Sequence, residues 1–203
     1  ASFTGTQDAP LLRVISPDGA VRTIEAGHYL VATGSAPYVP PVPGLAEAGY
    51  LTSTTAMELD EVPESMLILG GGYVALEMAQ LFSRLGSRVT MLVRSRLASQ
   101  EEPEVSKALA GVFADEGIRV VRRVMADSVA SGPDGVSVTA NVAGGEEVFR
   151  ASHILVALGR RPVTEGLDLD AVGVKTGASG EIVVDSRLAT SNPRVWAAGD
   201  ATG

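Results

Sequence analysis

The sequence contains no cysteine. That excludes a disulfide framework, a thiolate metal site and a dithiol redox pair within these 203 residues. Histidine is nearly as scarce. His28 and His153 are the only two, so a histidine-rich metal site is excluded and no metal ligands are assigned. Positive charge is also short: 16 Lys and Arg stand against 24 Asp and Glu, a formal net charge of −8. Such a surface repels phosphate backbones, so nucleic acid is a poor partner. The longest uncharged apolar run, around Met66 to Leu76, is too short to span a bilayer. The N-terminus lacks a basic stretch followed by an apolar one, so the chain reads as cytoplasmic, with no membrane partner. What is present is 45% apolar residues, enough to expect a buried core.

The chain starts at Ala1 and stops at "AAGDATG", an apolar strand entering a Gly-containing loop. It is therefore read as a segment of a longer protein. Leu11 to Gly34 holds two apolar runs around the turn sequence "SPDG", then the strand-like "YLVA". Val136 to Gly159 has the same length, a turn glycine at the matching place (Gly144) and the same ending, His-x-Leu-Val-Ala-x-Gly. This is read as an internal structural repeat. Two proline-marked crossings, "SAPYVPPVPG" (Ser35 to Gly44) and "RRPVTEG" (Arg160 to Gly166), bound a self-contained middle part of the chain.

Between the crossings, Met66 to Leu69 predicts a short buried strand. Val74, Met78, Leu81, Phe82 and Leu85 then recur at helical spacing, with Gly86 placed to end the helix. "RVTMLV", Arg88 to Val93, predicts the next strand. A second helix is predicted from "EEPE", with Pro103 at its first position and Val105, Ala108, Leu109, Val112 and Phe113 as its apolar face. Ile118 to Val121 predicts a third strand. Alternating strands and helices imply a parallel sheet with right-handed crossovers, an α/β fold.

Gly70-x-Gly72-x-x-Ala75 joins the first predicted strand to the first predicted helix. In a dinucleotide-binding turn the first glycine allows the bend. The second admits the pyrophosphate to the backbone, and the third small residue lets helix and strand pack closely. The helix start offers free N–H groups and partial positive charge. A packing turn alone is the blander reading. Arg94 and Arg96 follow the second strand, where NAD-binding sites usually carry Asp or Glu. Guanidiniums there suit a 2′-phosphate, hence NADPH, unless they are only solvated surface charges. Gly71 sits between the motif glycines as a variable position. Tyr73 could cover the pocket or simply pack. Glu77, one turn into the helix, could stand beside the nicotinamide or in solvent. Asp200 ends an apolar strand, where it could accept from a ribose or ribitol hydroxyl or merely cap a turn.

"ATG" (Ala32 to Gly34), "GGGYVALE" (Gly70 to Glu77), "ALGRRP" (Ala157 to Pro162) and "AAGD" (Ala197 to Asp200) together resemble the flavin-dependent pyridine nucleotide–disulfide oxidoreductases. The resemblance implies a Rossmann-like NAD(P)H domain inserted between two segments of an FAD domain. Residues 1–45 would end the first FAD segment, 46–162 would form the NAD(P)H domain, and 163–203 would begin the second FAD segment. Residue by residue, it implies NADPH contacts at Gly70, Gly72, Tyr73 (a lid over the nicotinamide pocket), Val74, Glu77, Arg94, Arg96 and Gly159. FAD contacts would come from Thr33, Gly34, Arg160, Gly199 and Asp200. The second phosphate arginine of NADPH-using members usually comes several residues after the first. Here that stretch is "LASQ", leaving Arg96 as the substitute.

Within the family the closer likeness is to members that reduce Hg(II) to Hg(0). It rests on "YLTSTTAMELDEVPESMLILGGGYVALEMAQLFSRLG", "EEPE" and "LATSNPRVWAAGD". Redox cysteines and a dimerisation domain are expected outside the segment. The parent would then be an FAD- and NADPH-dependent homodimer, while the segment itself would turn over nothing. A disulfide reductase of the same family and a non-catalytic NAD(P)H-sensing module are the alternatives.

Overall fold

The computed structural model describes residues 1–142 and 145–203, so Gly144, the expected turn glycine, lies outside the described residues. In chain order the strands are β1 (Ser2–Gly5), β2 (Pro10–Ile15), β3 (Val21–Ile24), β4 (Tyr29–Val31), β5 (Ser35–Pro37), β6 (Ser65–Leu69), β7 (Arg88–Val93), β8 (Arg119–Arg122), β9 (Ala126–Gly132), β10 (Gly135–Val142), β11 (Gly145–Ala151), β12 (His153–Val156), β13 (Arg160–Pro162) and β14 (Val195–Ala197). The helices are α1 (Leu45–Ala48), α2 (Ser53–Ala56), α3 (Tyr73–Arg84) and α4 (Pro103–Asp115).

Contacts divide the chain into two compact units, Ala1–Ala36 with Arg160–Gly203, and Pro37–Gly159. The first break falls between Ala36 and Pro37, near the start of the proline stretch. The cause is packing: Val129 N donates to Pro43 O at 2.8 Å, and Leu45 is buried in the core with Val129, Val138 and Phe149.

In the Pro37–Gly159 unit a four-stranded parallel sheet runs in the order β12-β6-β7-β8. Both faces are covered, as parallel strands require. Met66, Ile68, Met91 and Val93 pack with α3 and α4 residues on one side. Leu67, Leu69, Leu92 and Ile154 pack with the antiparallel β9-β10-β11 meander on the other. The Ala1–Ala36 and Arg160–Gly203 unit repeats the plan on a smaller scale. An antiparallel β1-β2-β3 meander precedes β4, which pairs in parallel with β14. The duplication read from the sequence is thus a meander followed by a parallel strand, and β1 is a strand the sequence reading did not find.

Two helix faces differ from expectation. On α3 the buried residues are Ala75, Leu76, Ala79 and Phe82, while Val74 and Leu85 are exposed. Alanines face the sheet because α3 must lie close to β6, and larger side chains there would hold it off. On α4 the buried residues are Ser106 and Phe113, with Leu109 and Ala110 partly buried against the same core. Val105, Ala108 and Val112 face outward.

Candidate functional site

All four strands of the parallel sheet point the same way, so their C-terminal ends share one edge. Ligands of open α/β sheets bind at that edge. It carries the turn after β6 (Gly70 to Gly72), Arg94 after β7, Arg122 at the end of β8, and Ala157 to Gly159 after β12.

Gly70 has φ 134, and a Cβ there would stand 2.2 Å from Ala157 O. Only glycine fits. A Cβ on Gly71 would stand 2.6 Å from Val93 Cγ1. Val93 is buried and β-branched, so it cannot yield. Gly71 is therefore a packing requirement and not the variable position it was read as. At Gly72 a Cβ would meet nothing within 4 Å. Gly72 is the N-cap of α3 and makes no side-chain cap bond. The space beside this helix start is therefore open, and a helix start carries N–H groups without intrahelical partners, which suits an anion.

The segment after β7 folds back onto this turn: Ala98 N donates to Gly71 O at 2.7 Å. Arg96 is part of that fold. Its Nη2 donates to Ser99 O at 3.0 Å and Glu101 O at 2.7 Å, while its Nη1 is buried without a partner among the described residues. The guanidinium expected to meet a 2′-phosphate instead holds the loop. Arg94 is exposed and has no hydrogen bond or ion pair to a described residue. Glu101 does not compete for it, because the Tyr73 hydroxyl donates to Glu101 Oε1. That carboxylate raises the Tyr73 phenol above the usual tyrosine range, chiefly through the hydrogen bond. Tyr73, Val74 and Glu77 are exposed at the start of α3, and Gly159 O accepts from Tyr38 N at 2.9 Å.

In the other unit, three separate stretches converge. Ser35 Oγ donates to Asp200 Oδ2 at 2.7 Å. Arg160 Nε donates to Ser35 Oγ at 2.7 Å and its Nη2 to Ser35 O at 2.6 Å. Thr33 Oγ1 donates to Val163 O at 2.6 Å, and Val163 N donates to Gly34 O at 2.9 Å. Gly199 and Asp200 open the short 3-10 turn Gly199–Thr202 after β14. Thr33, Gly34, Arg160, Gly199 and Asp200 therefore lie together. Ser35, which the sequence reading passed over, is the hydroxyl that links Arg160 to Asp200. Its position directly after "ATG" was the one available signal. Asp200 stays exposed and can accept from a further hydroxyl.

An open hollow of about 640 Å³ in the same unit is lined by Phe3, Thr164, Asp168 and Asp170, and none of the expected site residues borders it. Among the described residues no three His, Cys, Asp or Glu are grouped to hold a metal ion. Among them, too, no helix is long and apolar enough to cross a membrane.

The family profile described as pyridine nucleotide-disulphide oxidoreductase matches residues 5–203. The chain belongs to that family. Among curated relatives it is similar to a mercuric reductase of Streptomyces lividans, 57% identical over 96% of this chain and 41% of that protein. It is also similar to a mercuric reductase of Staphylococcus aureus, 42% identical over 89% of this chain and 33% of that protein. The chain thus spans well under half the length of these relatives. Among solved structures, the HOCl-induced flavoprotein disulfide reductase RclA from Escherichia coli superposes with TM-score 0.85. That match is at 29% identity and covers 98% of this chain and 44% of that one. LpdA from Mycobacterium tuberculosis superposes with TM-score 0.87 at 28% identity, covering 100% of this chain and 44% of that one. The α/β architecture with its parallel sheet is the family's fold.

Proposed function

We propose that this chain is the dinucleotide-handling part of an FAD-dependent, NADPH-consuming mercury(II) reductase. The observation that carries the reading is the open cradle at Gly72, at the start of α3, with the unengaged Arg94 on the adjacent strand end. The mercuric reductases to which the chain is similar support Hg(II), reduced to Hg(0), as the substrate of the whole protein.

When bound, NADPH supplies a hydride and FAD receives it. The residues of this chain hold and orient those groups. Gly70 and Gly71 keep the turn tight against Ala157 and Val93. The backbone N–H groups at the start of α3 take the pyrophosphate, and the helix dipole adds to the attraction. Arg94 takes the 2′-phosphate through charge-assisted hydrogen bonds. Tyr73, which directly follows the cradle, covers the nicotinamide side, and Glu77 stands one turn further along the same helix. In the other unit Asp200 accepts from a hydroxyl of the flavin's ribitol, held in place by Ser35 and Arg160.

A charged hydrogen bond contributes about 1.5–3 kcal/mol, so Arg94→Glu lowers NADPH affinity at least tenfold and leaves NADH nearly unchanged. Titration of the chain with each dinucleotide, followed by nicotinamide fluorescence, reads this directly. Equal wild-type affinities, or an unchanged preference in the variant, would sink the assignment. The likeness to a flavoprotein disulfide reductase supports a second reading with the same two cofactors and a small disulfide as electron acceptor.

A further inference from the structure

If one guanidinium at Arg94 must hold a dianionic 2′-phosphate, the site is short of positive charge, because Arg96 is spent on its own loop. The sheet register supplies the missing charge from elsewhere. Val93 is paired in parallel with Arg122, so Arg94 and the Arg122–Arg123 doublet leave adjacent strands about 4.8 Å apart at the same edge. We infer that Arg122 and Arg123 are specificity-determining residues that complete the 2′-phosphate site with Arg94. This inference rests on the dinucleotide reading above.

Three further observations support it. The side chain of neither arginine has a hydrogen bond or ion pair to a described residue, and both residues are exposed. Arg119, on the same strand, behaves differently: it is paired with Glu147 of β11 at 2.9 Å. Alternation along β8 puts Arg119 and Val121 on the meander side, and Val120 and Arg122 on the side of α3 and α4. Arg122 therefore projects on the face where the helix start opens, away from the Arg119 ion pair.

The second observation is charge. In a chain of net charge −8, three arginines share one edge, while Glu101 on the loop after β7 is turned to Tyr73. Like charges gathered at one edge repel one another, and an anion that joins them relieves that repulsion.

The third is backbone conformation. Arg123 has φ 60, and Ala98, on the loop folded against the glycine turn, has φ 43. Two of the four non-glycine residues with positive φ among the described residues thus flank this one edge. The kink at Arg123 leaves Val124 N still donating to Val93 O at 3.3 Å. The arginine bulges outward while the chain on either side stays on the sheet. Glycine would adopt that conformation without strain, so an arginine there holds a strained position that a ligand contact explains.

The test is titration of the chain with NADPH and NADH, comparing wild type with Arg122→Gln/Arg123→Gln, Arg122→Lys/Arg123→Lys and Arg123→Gly. The Gln pair is expected to lower NADPH affinity about tenfold and leave NADH within about twofold. The Lys pair keeps the charge and most of the preference. Arg123→Gly relieves the left-handed strain, so it raises the melting midpoint by about 2–4 °C while still weakening NADPH. That opposite movement of stability and affinity is one a purely structural arginine would not give. An unchanged NADPH preference in the Gln pair overturns the inference and leaves the Arg94 reading standing. Equal loss of both dinucleotides overturns it as well, and a wild-type chain that binds neither removes it together with the dinucleotide reading.

Discussion

Gly71 and Gly72 are adjacent and face opposite demands. A Cβ on Gly71 would press on Val93 Cγ1 at 2.6 Å and lie 3.4 Å from Arg96 O. Overpacking of a buried position costs about 1–3 kcal/mol. Gly71→Ala should therefore lower the unfolding free energy by that amount in a urea titration. Gly72 has ordinary φ, −84, and open space where its side chain would be. Gly72→Ala should cost less than about 1 kcal/mol of stability, the difference between glycine and alanine as N-caps. Its main effect should be weaker dinucleotide binding, because the methyl group would occupy the open space proposed for the phosphate. If both variants lose stability equally, the open cradle at Gly72 is wrong. The sequence shows three glycines in a row and cannot rank them. Their order of importance depends on Ala157 and Val93, which are remote in the chain.

At the scale of elements, α4 buries a polar side chain against the core. Ser106 faces the core, and its hydroxyl donates to Leu97 O. Leu97 itself is buried, on the loop that carries Arg94 and Arg96. Ser106→Ala should leave that carbonyl unsatisfied and destabilise the fold by about 1–3 kcal/mol. Val105→Ser, on the exposed flank of the same helix, should change stability by less than about 0.5 kcal/mol. Equilibrium unfolding of the two variants separates these outcomes.

Element existence was legible here because it is set locally. The strand–glycine–helix pattern at Met66 to Gly86 and the proline start of α4 both stand where the sequence puts them. Helix facing was not legible. Hydrophobicity pointed to Val105 and Val112. The sheet took Phe113, as expected, but Ser106 in place of those valines, because close packing selects by volume and by hydrogen bonds as well as by apolarity.

For the whole molecule, acidity has a consequence for stability against pH. Glu116 lies between Arg84 and Gln80, whose side chains donate to its Oε1 at 2.6 Å and 2.8 Å, tying the end of α4 to α3. These bonds, Arg84 first, hold its carboxyl below its ordinary value of 4.5. Asp185, in the other unit, is held below its ordinary 3.8 by the backbone N–H groups of Ala189 and Arg187. A carboxylate depressed in the folded state stabilises it above the unfolded pKa and loses that effect as the pH falls through the folded pKa. Stability should therefore be level above about pH 5 and decline below about pH 4. Glu116→Gln should show a shallower decline than wild type in thermal melts between about pH 6 and pH 3. A decline of equal slope would exclude Glu116 from the effect.

The sequence by itself determined the α/β class, the duplicated hairpin-and-strand plan, the glycine turn between strand and helix, and Arg94 at the following strand end. Each is written in short-range terms: periodicity, turn residues and the order of neighbouring elements. The tertiary structure alone decided that Ser35 joins Arg160 to Asp200, that Arg96 serves its own loop, and that Arg122 and Arg123 stand beside Arg94. Those facts follow from strand register and from which carbonyls a side chain can reach. Both arise from packing between residues distant in the chain, and no local pattern encodes them.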